Sequence, residues 1–195
     1  MLKTIRRLFV TIILLALLSM AYPWLEKAMY TARLLRMPVP ATLPMPVDMQ
    51  NTRTLRDTWQ AARSDNRVHE GIDIFAKRGT PVMSTTEGIV QSCGENRLGG
   101  FVVWVLGPGG QRHYYAHLDQ FAGVCAGDRV QAGTVLGYVG NTGNARTTPP
   151  HLHYGVYTNE GAINPYPFLA SKKQSTSPGP GSSTPDKAAS RTSDK

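Results

Sequence analysis

Two histidine-bearing stretches, far apart in the chain, set the strongest constraint on its fold: His151-Leu152-His153 and His69-Glu70-Gly71-Ile72-Asp73. In a strand, side chains alternate faces, so His151 and His153 point the same way, about 6.6 Å apart at the backbone. Both histidines can bind one metal ion, or one can bind the ion while the other acts as a catalytic group beside it.

The spacing of His69 and Asp73 requires a bend in the chain. On a straight strand, these two residues would be roughly 13 Å apart, too far for two metal bonds of about 2 Å. The chain must therefore bend between them, and Gly71 allows the bend. Two histidines and one carboxylate form a suitable zinc set that leaves a fourth position to water.

Between Val68 and Tyr157 the residue pattern is typical of β-structure. Runs of β-branched and aromatic residues are separated by Gly and Pro, and the sequence shows no strand–helix–strand alternation. This pattern favours a mostly β fold with a largely antiparallel sheet or sandwich. Gly107-Pro108-Gly109-Gly110 separates two such runs and predicts a hairpin. We predict strands around residues 82–83, 88–90, 101–106, 111–117, 130–139 and 152–157.

The chain begins with an export signal. Lys3, Arg6 and Arg7 precede an apolar run from Leu8 to Leu25, and the basic side of such a run stays in the cytoplasm. The run is just long enough to span a bilayer, although small residues near Ala21 would also suit a signal peptidase. Residues 1–25 are therefore a signal-anchor or a signal peptide. We favour an uncleaved anchor in the inner membrane, with the rest of the chain on the periplasmic side of the cell envelope.

Three further segments follow. Residues 26–50 combine a short helix with a Pro-rich linker, in which residues 38–46 form a semi-extended spacer because each proline removes a backbone donor. Residues 51–170 form the folded domain, and Leu55, Trp59 and Ala62 predict a short amphipathic N-terminal helix over residues 54–63. Residues 171–195 are rich in Ser, Thr, Pro, Gly and Lys, which predicts a disordered tail.

The net charge of +8 lies mainly at the two ends of the chain. It divides into +4 over residues 1–50, +3 over residues 171–195 and only +1 over residues 51–170. A nucleic-acid-binding domain would concentrate basic charge on its folded part. We therefore expect no nucleic-acid partner.

The chain contains two cysteines, Cys93 and Cys125. Export to an oxidising compartment predicts a disulfide between them, with free thiols or a metal-ligating Cys as the alternatives. The disulfide would close a loop of about 33 residues and contribute roughly 3–4 kcal/mol in the chain-entropy model.

Three motifs in order, His69-x-x-x-Asp73, Tyr115-Ala116-His117-Leu118 and His151-x-His153, resemble the LytM/lysostaphin-type zinc peptidases of the M23 family of peptidoglycan endopeptidases. The resemblance extends over about residues 66–167 and includes Gly79-Thr80-Pro81-Val82 and the Gly-rich stretch 137–143. It implies a LytM-like fold of the duplicated-hybrid-motif type. It also implies that His69, Asp73 and His153 bind Zn²⁺ and that His117 and His151 are catalytic.

The resemblance implies an exported zinc endopeptidase that hydrolyses peptide cross-links of peptidoglycan, so its partners would be stem peptides or cross-bridges. Histidines titrating near neutrality suit the proton transfers and the charge stabilisation. The sequence leaves open which histidine is the base, which cross-link is cut and whether a regulatory partner exists. One alternative is a non-catalytic M23-like module that binds the wall or activates another hydrolase, which would lack one or more ligands. Another is a structural zinc protein, which would have a closed four-ligand site.

Four other residues are weaker candidates for a role in the proposed site. His113 lies about 13 Å along the strand from His117 on the same face, which predicts a groove-wall or surface position. Of the two neighbouring tyrosines, we expect Tyr115 rather than Tyr114 to touch substrate. Glu70 is disfavoured as a catalytic base, because the second His of a His-Glu-x-x-His motif is absent.

Overall fold

The computed structural model describes residues 2–48, 55–63 and 66–170. The predicted tail at residues 171–195 and part of the predicted linker lie outside the described residues. The helices and strands of the described part are, in chain order, α1 (Leu2–Arg36), β1 (Ile72–Phe75), β2 (Pro81–Met83), β3 (Gly88–Asn96), β4 (Gly100–Leu106), β5 (Arg112–Phe121), β6 (Arg129–Val130), β7 (Val135–Val139), β8 (His151–Thr158), β9 (Gly161–Ile163) and α2 (Tyr166–Ala170).

The strands form an antiparallel sheet in the order β1-β8-β5-β4-β3-β6. In addition, β2 pairs with β7, β7 pairs with β5, and β9 pairs with β8. The predicted fold class, mostly antiparallel β with an N-terminal helix, is confirmed, and that helix is α1. The predicted hairpin around Gly107–Gly110 is also confirmed, since β4 and β5 pair on either side of it. The predicted strand over residues 130–139 is instead two strands, β6 and β7, because a turn occupies residues 131–134.

His113 and Tyr115 both point into the core, which corrects two predictions. Their exposed fractions are 0%, so His113 does not line a groove wall and Tyr115 cannot touch substrate. Both belong to a buried hydrogen-bond network. The Thr85 hydroxyl lies 2.9 Å from the Tyr115 hydroxyl and 2.8 Å from the Tyr154 hydroxyl, and His113 Nδ1 lies 2.8 Å from the same Tyr154 oxygen.

A local change of backbone conformation at His117 explains why alternation fails on β5. His117 has a φ of 62°, in the left-handed region that non-glycine residues rarely adopt. The pairing register of β5 shifts at the same place, between residues 101 and 103 of its neighbour β4. Side chains before this point alternate normally, with His113 and Tyr115 inward. At His117 the alternation is broken, so His117 faces the opposite side of the sheet from His113.

The helix predicted over residues 54–63 is wrong for the described part of that segment. Residues 55–63 pair with the chain just before β1, with Gln60 N donating to His69 O at 2.9 Å and Arg63 N donating to Arg67 O at 2.9 Å. A bridge joins Ala62 to Val68. These tertiary hydrogen bonds override the weak helical periodicity.

The Pro-rich stretch is part of the domain rather than a spacer, which corrects another prediction. Leu43 and Val47 have exposed fractions of 2% and 0% and belong to the main hydrophobic core. Leu43 N donates to Phe168 O at 2.9 Å, and Val47 bridges to Val82 of β2. The extended backbone that proline favours therefore lies along the domain and pairs with it.

Helix α1 continues without a break from the predicted signal-anchor segment into the short helix predicted after residue 25, includes Pro23 and ends at Arg36. Its apolar window has a mean hydropathy of 2.2, none of it is buried, and it is long enough to cross a membrane. The C-terminal part of α1 packs on the domain through the buried residues Tyr30 and Leu34. Glu26 forms an ion pair of 3.0 Å with Arg129, whose guanidinium lies 4.4 Å from the centre of the Tyr30 ring.

Both cysteines are free thiols in the structure, so the predicted disulfide is wrong. The thiol of Cys93 donates to the carbonyl oxygen of Val124 at 3.3 Å. Cys125 is exposed in a tight turn, where its backbone N–H donates to the carboxylate of Asp128.

Candidate metal centre and cleft

Three of the predicted site residues meet where β1 lies beside β8. Asp73 of β1 is the direct pairing partner of His153 of β8, and His69 precedes β1. The atoms His69 Nε2, His153 Nδ1 and Asp73 Oδ1 form a triangle with sides of 2.8, 3.0 and 3.2 Å. Two ligands of a tetrahedral zinc ion, each about 2.05 Å from it, are roughly 3.3 Å apart. The triangle therefore fits zinc in both size and ligand chemistry.

Gly71 provides the bend that the sequence requires between His69 and Asp73. The chain bends at this residue and β1 begins immediately after it. Gly71 also leaves room for the His153 ring, because a Cβ here would lie 2.6 Å from Tyr154 O and 2.8 Å from Cε1 of that ring. A larger residue would collide with a side chain of the triangle.

The surroundings of the triangle fix its orientation. His69 Nδ1 lies 2.7 Å from the carbonyl oxygen of Thr58, and because a carbonyl can only accept, Nδ1 carries the proton and Nε2 presents its lone pair to the site. The guanidinium of Arg63 pairs with Asp73 Oδ2, which leaves Oδ1 facing the histidines. Burial acts to raise the pKa of Asp73, but His153 and His69, when protonated in the absence of a metal, donate hydrogen bonds to its carboxylate and hold that pKa well below its usual range.

His117 and His151 lie next to the triangle with their rings 5.0 Å apart. His117 Nδ1 lies 2.9 Å from Thr142 O, and His151 Nδ1 lies 2.9 Å from Pro149 O. In both rings Nδ1 is therefore the donor, and Nε2 is free to accept a proton. His151 Nε2 lies 3.9 Å from Asp73 Oδ1, and the His117 ring lies 5.9 Å from the His153 ring. Burial, together with the positive charge of nearby His151 and His153 when protonated, lowers the pKa of His117 to about 4.

All five residues predicted from the sequence thus converge on one site, whereas His113 faces the core on the other side of the sheet. The position of β8 between β1 and β5 explains the convergence, since His153 pairs with Asp73 on one side and with Ala116 on the other. Glu70 lies at the edge of the same cleft, and its carboxylate accepts a hydrogen bond from the Tyr157 hydroxyl at 3.4 Å.

A cleft of about 940 Å³ opens over the site, and part of its lining was not predicted from the sequence. Trp104, Tyr114 and Tyr157 line it beside the metal triangle. Their rings contact one another, with centroids 4.3 Å apart for Trp104 and Tyr114 and 5.2 Å apart for Trp104 and Tyr157. Alternation from Tyr115 could have placed Tyr114 in the cleft, but cross-strand register is needed to place Trp104 beside it.

The sequence pattern of peptidase family M23 matches residues 67–165, just over half of the chain and all five of these residues. The chain belongs to peptidase family M23. The L-Ala–D-Glu endopeptidase of Bacillus subtilis is 41% identical over 136 residues, which cover 64% of this chain and 42% of that relative. The glycyl-glycine endopeptidase ALE-1 of Staphylococcus capitis is 38% identical over 109 residues, which cover 53% of this chain and 29% of that relative.

The M23 fold is also seen in solved structures. The catalytic domain of lysostaphin from Staphylococcus simulans matches with a TM-score of 0.53 and 29% identity, covering 64% of this chain and 98% of that domain. The chain spans less than half the length of the two curated M23 relatives. Its similarity to them therefore lies in the peptidase domain.

Proposed function

We propose that the chain is a zinc-dependent endopeptidase that hydrolyses peptide cross-links of peptidoglycan. The observation that carries the proposal is the triangle of His69, Asp73 and His153, with the free Nε2 atoms of His117 and His151 beside it. Residues 67–165, which match family M23, contain all five of these positions.

The ligand set suits catalysis better than purely structural binding. Within the described residues, the metal-binding cluster has three ligand side chains, whereas structural zinc sites normally have four. Zinc bound by two neutral imidazoles and one carboxylate supplies Lewis acidity, which lowers the pKa of water and polarises a peptide carbonyl. The cleft beside the triangle gives a peptide access to the site.

The two remaining histidines can perform the proton transfers. Burial keeps His117 neutral at pH 7, so its Nε2 carries a lone pair. His151 is held in the same tautomer by Pro149 O. Each can accept a proton from the attacking water and return it to the leaving amine, and the protonated form stabilises negative charge on the scissile carbonyl oxygen.

The names of the relatives and the N-terminal helix support the substrate and the location. The two relatives are an L-Ala–D-Glu endopeptidase and a glycyl-glycine endopeptidase, so the shared chemistry is endopeptidase cleavage rather than one particular bond. Helix α1 has the length and apolar character of a membrane anchor or export signal. We infer that the domain acts in the cell envelope, on the periplasmic side of the inner membrane.

The non-catalytic alternative is disfavoured by the filled site. A wall-binding or activating module would be expected to lack a ligand or a catalytic histidine, and here His69, Asp73, His117, His151 and His153 are all present and close together.

Digestion of purified peptidoglycan tests the proposal. The full-length protein in detergent should release new amino and carboxyl termini from cross-linked peptides, detected by mass spectrometry of the products. A chelator should abolish the release, and added zinc should restore it. Failure of the zinc-loaded protein to cleave any peptide bond in peptidoglycan would refute the enzymatic proposal.

A further inference from the structure

We propose that Arg97 and Arg146 form a subsite that binds a free carboxylate of the substrate peptide on the His117 side of the cleft. The inference rests on the proposed peptidase function and specifies the chemistry of the substrate. Arg97, Arg146 and Gly143 line a pocket of about 480 Å³ together with Glu95 and Asn96. Asn96 and Arg97 also line the main cleft, so the pocket adjoins the site.

The backbone of the β3–β4 turn fixes the position of Arg97 relative to His117. Asn96 Oδ1 accepts hydrogen bonds from Leu98 N at 3.1 Å and Gly99 N at 2.6 Å, which holds the turn that contains Arg97. Gly99 O in turn accepts from His117 N at 2.7 Å. Arg97 is therefore two residues away from a direct backbone contact with a proposed catalytic histidine.

The loop that carries Arg146 is attached to the same histidine and the same turn. Thr142 O accepts from His117 Nδ1 at 2.9 Å, and Asn144 N donates to Leu98 O at 3.0 Å. The amide of Asn141 donates to the carbonyl oxygen of Arg146 at 3.3 Å. Two loops that are distant in sequence are thus joined by hydrogen bonds, and each places a cation beside the same end of the site.

The two cations are unpaired. Among the described residues, neither guanidinium has a hydrogen-bond or ion-pair partner, although Glu95 lies in the same pocket. By contrast, Arg63, Arg78 and Arg129 pair with carboxylates. A guanidinium binds a carboxylate well because its planar donors match the two oxygens.

The charge of the pocket supports an anionic ligand at this place. In the cleft, Arg63 is neutralised by its ion pair with Asp73. In the adjoining pocket, Arg97 and Arg146 contribute two positive charges against the one negative charge of Glu95. A local excess of positive charge favours a ligand of the opposite sign. Since the proposed substrate is a peptide, the ligand group is a free carboxylate near the bond that is cut.

The test compares two substrates that differ only in charge. Soluble cross-linked muropeptides are used untreated or after conversion of their carboxylates to amides, which leaves the peptide bonds unchanged. The full-length, zinc-loaded protein in detergent should cleave the untreated form with a kcat/KM roughly 10- to 100-fold higher, the range expected for hydrogen bonds to a charged group. The R97Q/R146Q double variant should lose this preference mainly through a higher KM, with unchanged zinc content and thermal stability.

Arg112→Gln is the control for the loss of a positive charge elsewhere, because Arg112 is the first residue of β5, roughly 16 Å from His117, and the R97Q and R146Q single variants are compared with it charge for charge. It should retain the preference. Equal cleavage of both substrates by the wild type, or a preference that survives in the double variant, overturns the subsite. Cleavage of neither substrate by the wild type instead overturns the proposed function on which the subsite rests.

Discussion

At the scale of single residues, one backbone torsion decides which histidine of β5 reaches the site. Alternation puts His113 and His117 on the same face, but the left-handed conformation at His117 places them on opposite faces. The convergence of the five candidate residues was nevertheless predictable, because their motifs identify them without knowledge of the strand geometry. The environment of His113 was not predictable, since it depends on a torsion that the residue pattern does not encode.

The buried position of His113 predicts a pH-dependent stability. Burial lowers the pKa of His113 to about 4, from 6.5. Between pH 4 and pH 6.5 the unfolded chain therefore binds more protons at His113 than the folded protein does. The contribution of neutral His113 to the free energy of unfolding is complete above pH 6.5 and is lost as the pH falls toward 4. The loss attributable to His113 should be of order 3 kcal/mol. It is measured as the difference in the pH dependence of urea unfolding between wild type and His113→Asn.

Asn provides a hydrogen-bonding atom close to the position of His113 Nδ1 but does not titrate, so it is suited to this comparison. Identical pH dependence in the two proteins would show that His113 is protonated at the same pH in the folded and unfolded chains.

A second prediction at this scale concerns the space that Gly71 provides. Gly71→Ala should displace the His153 ring, because the added Cβ would lie 2.8 Å from Cε1 and 2.9 Å from Nε2 of that ring. Zinc affinity should fall roughly 10- to 100-fold, as for other changes that misorient a ligand. The affinity is measured by competition with a chromophoric chelator.

Gly94→Ala is the control for this measurement, because a Cβ on Gly94 of β3 would have no neighbour within 4 Å. A zinc affinity for Gly71→Ala equal to that of Gly94→Ala would contradict the steric role of Gly71.

At the scale of elements, most of the strands were predictable, but β1, β9 and the two segments that precede β1 were not. The strands are recognised by β-branched and aromatic runs between glycines, and the lack of strand–helix–strand alternation in the sequence fits antiparallel pairing. The segments 38–47 and 55–63 carry patterns typical of a spacer and of a helix. Both patterns are overridden by pairing with distant residues, Val82 in one case and His69 in the other.

The packing of the Pro-rich segment leads to a stability prediction. Leu43→Ala should lower the free energy of unfolding by about 2–5 kcal/mol, because the side chain is 2% exposed and lies in the main core. Val39→Ala, four residues earlier and 45% exposed, should change it by less than about 0.5 kcal/mol. Denaturant unfolding of the full-length protein in detergent measures both.

A spacer that is free of the domain would give equally small effects for the two substitutions. That result would contradict the packing described for residues 38–47.

At the scale of the whole molecule, the N-terminal helix packs near the start of β5, whereas the metal triangle lies beside the middle of that strand, where His153 pairs with Ala116. Helix α1 packs against the turn Pro108–Gly110, which precedes β5. His117 lies seven residues beyond Gly110, roughly 23 Å along the strand. The ion pair between Glu26 and Arg129 also fixes α1 to the domain. With α1 as the proposed membrane anchor, the cleft would therefore stay accessible to the cell wall.

The most direct test of the proposed zinc centre is the zinc content of purified His153→Ala and His117→Ala, measured together with their rates of peptidoglycan hydrolysis. The wild type should contain about one zinc per chain. His153→Ala leaves two protein ligands, so zinc and activity should fall together. His117→Ala should retain the zinc while the rate falls roughly 100- to 10,000-fold, the usual contribution of a positioned acid–base group. Loss of zinc from His117→Ala, or retention of both zinc and rate by His153→Ala, would contradict the assignment of the two histidines.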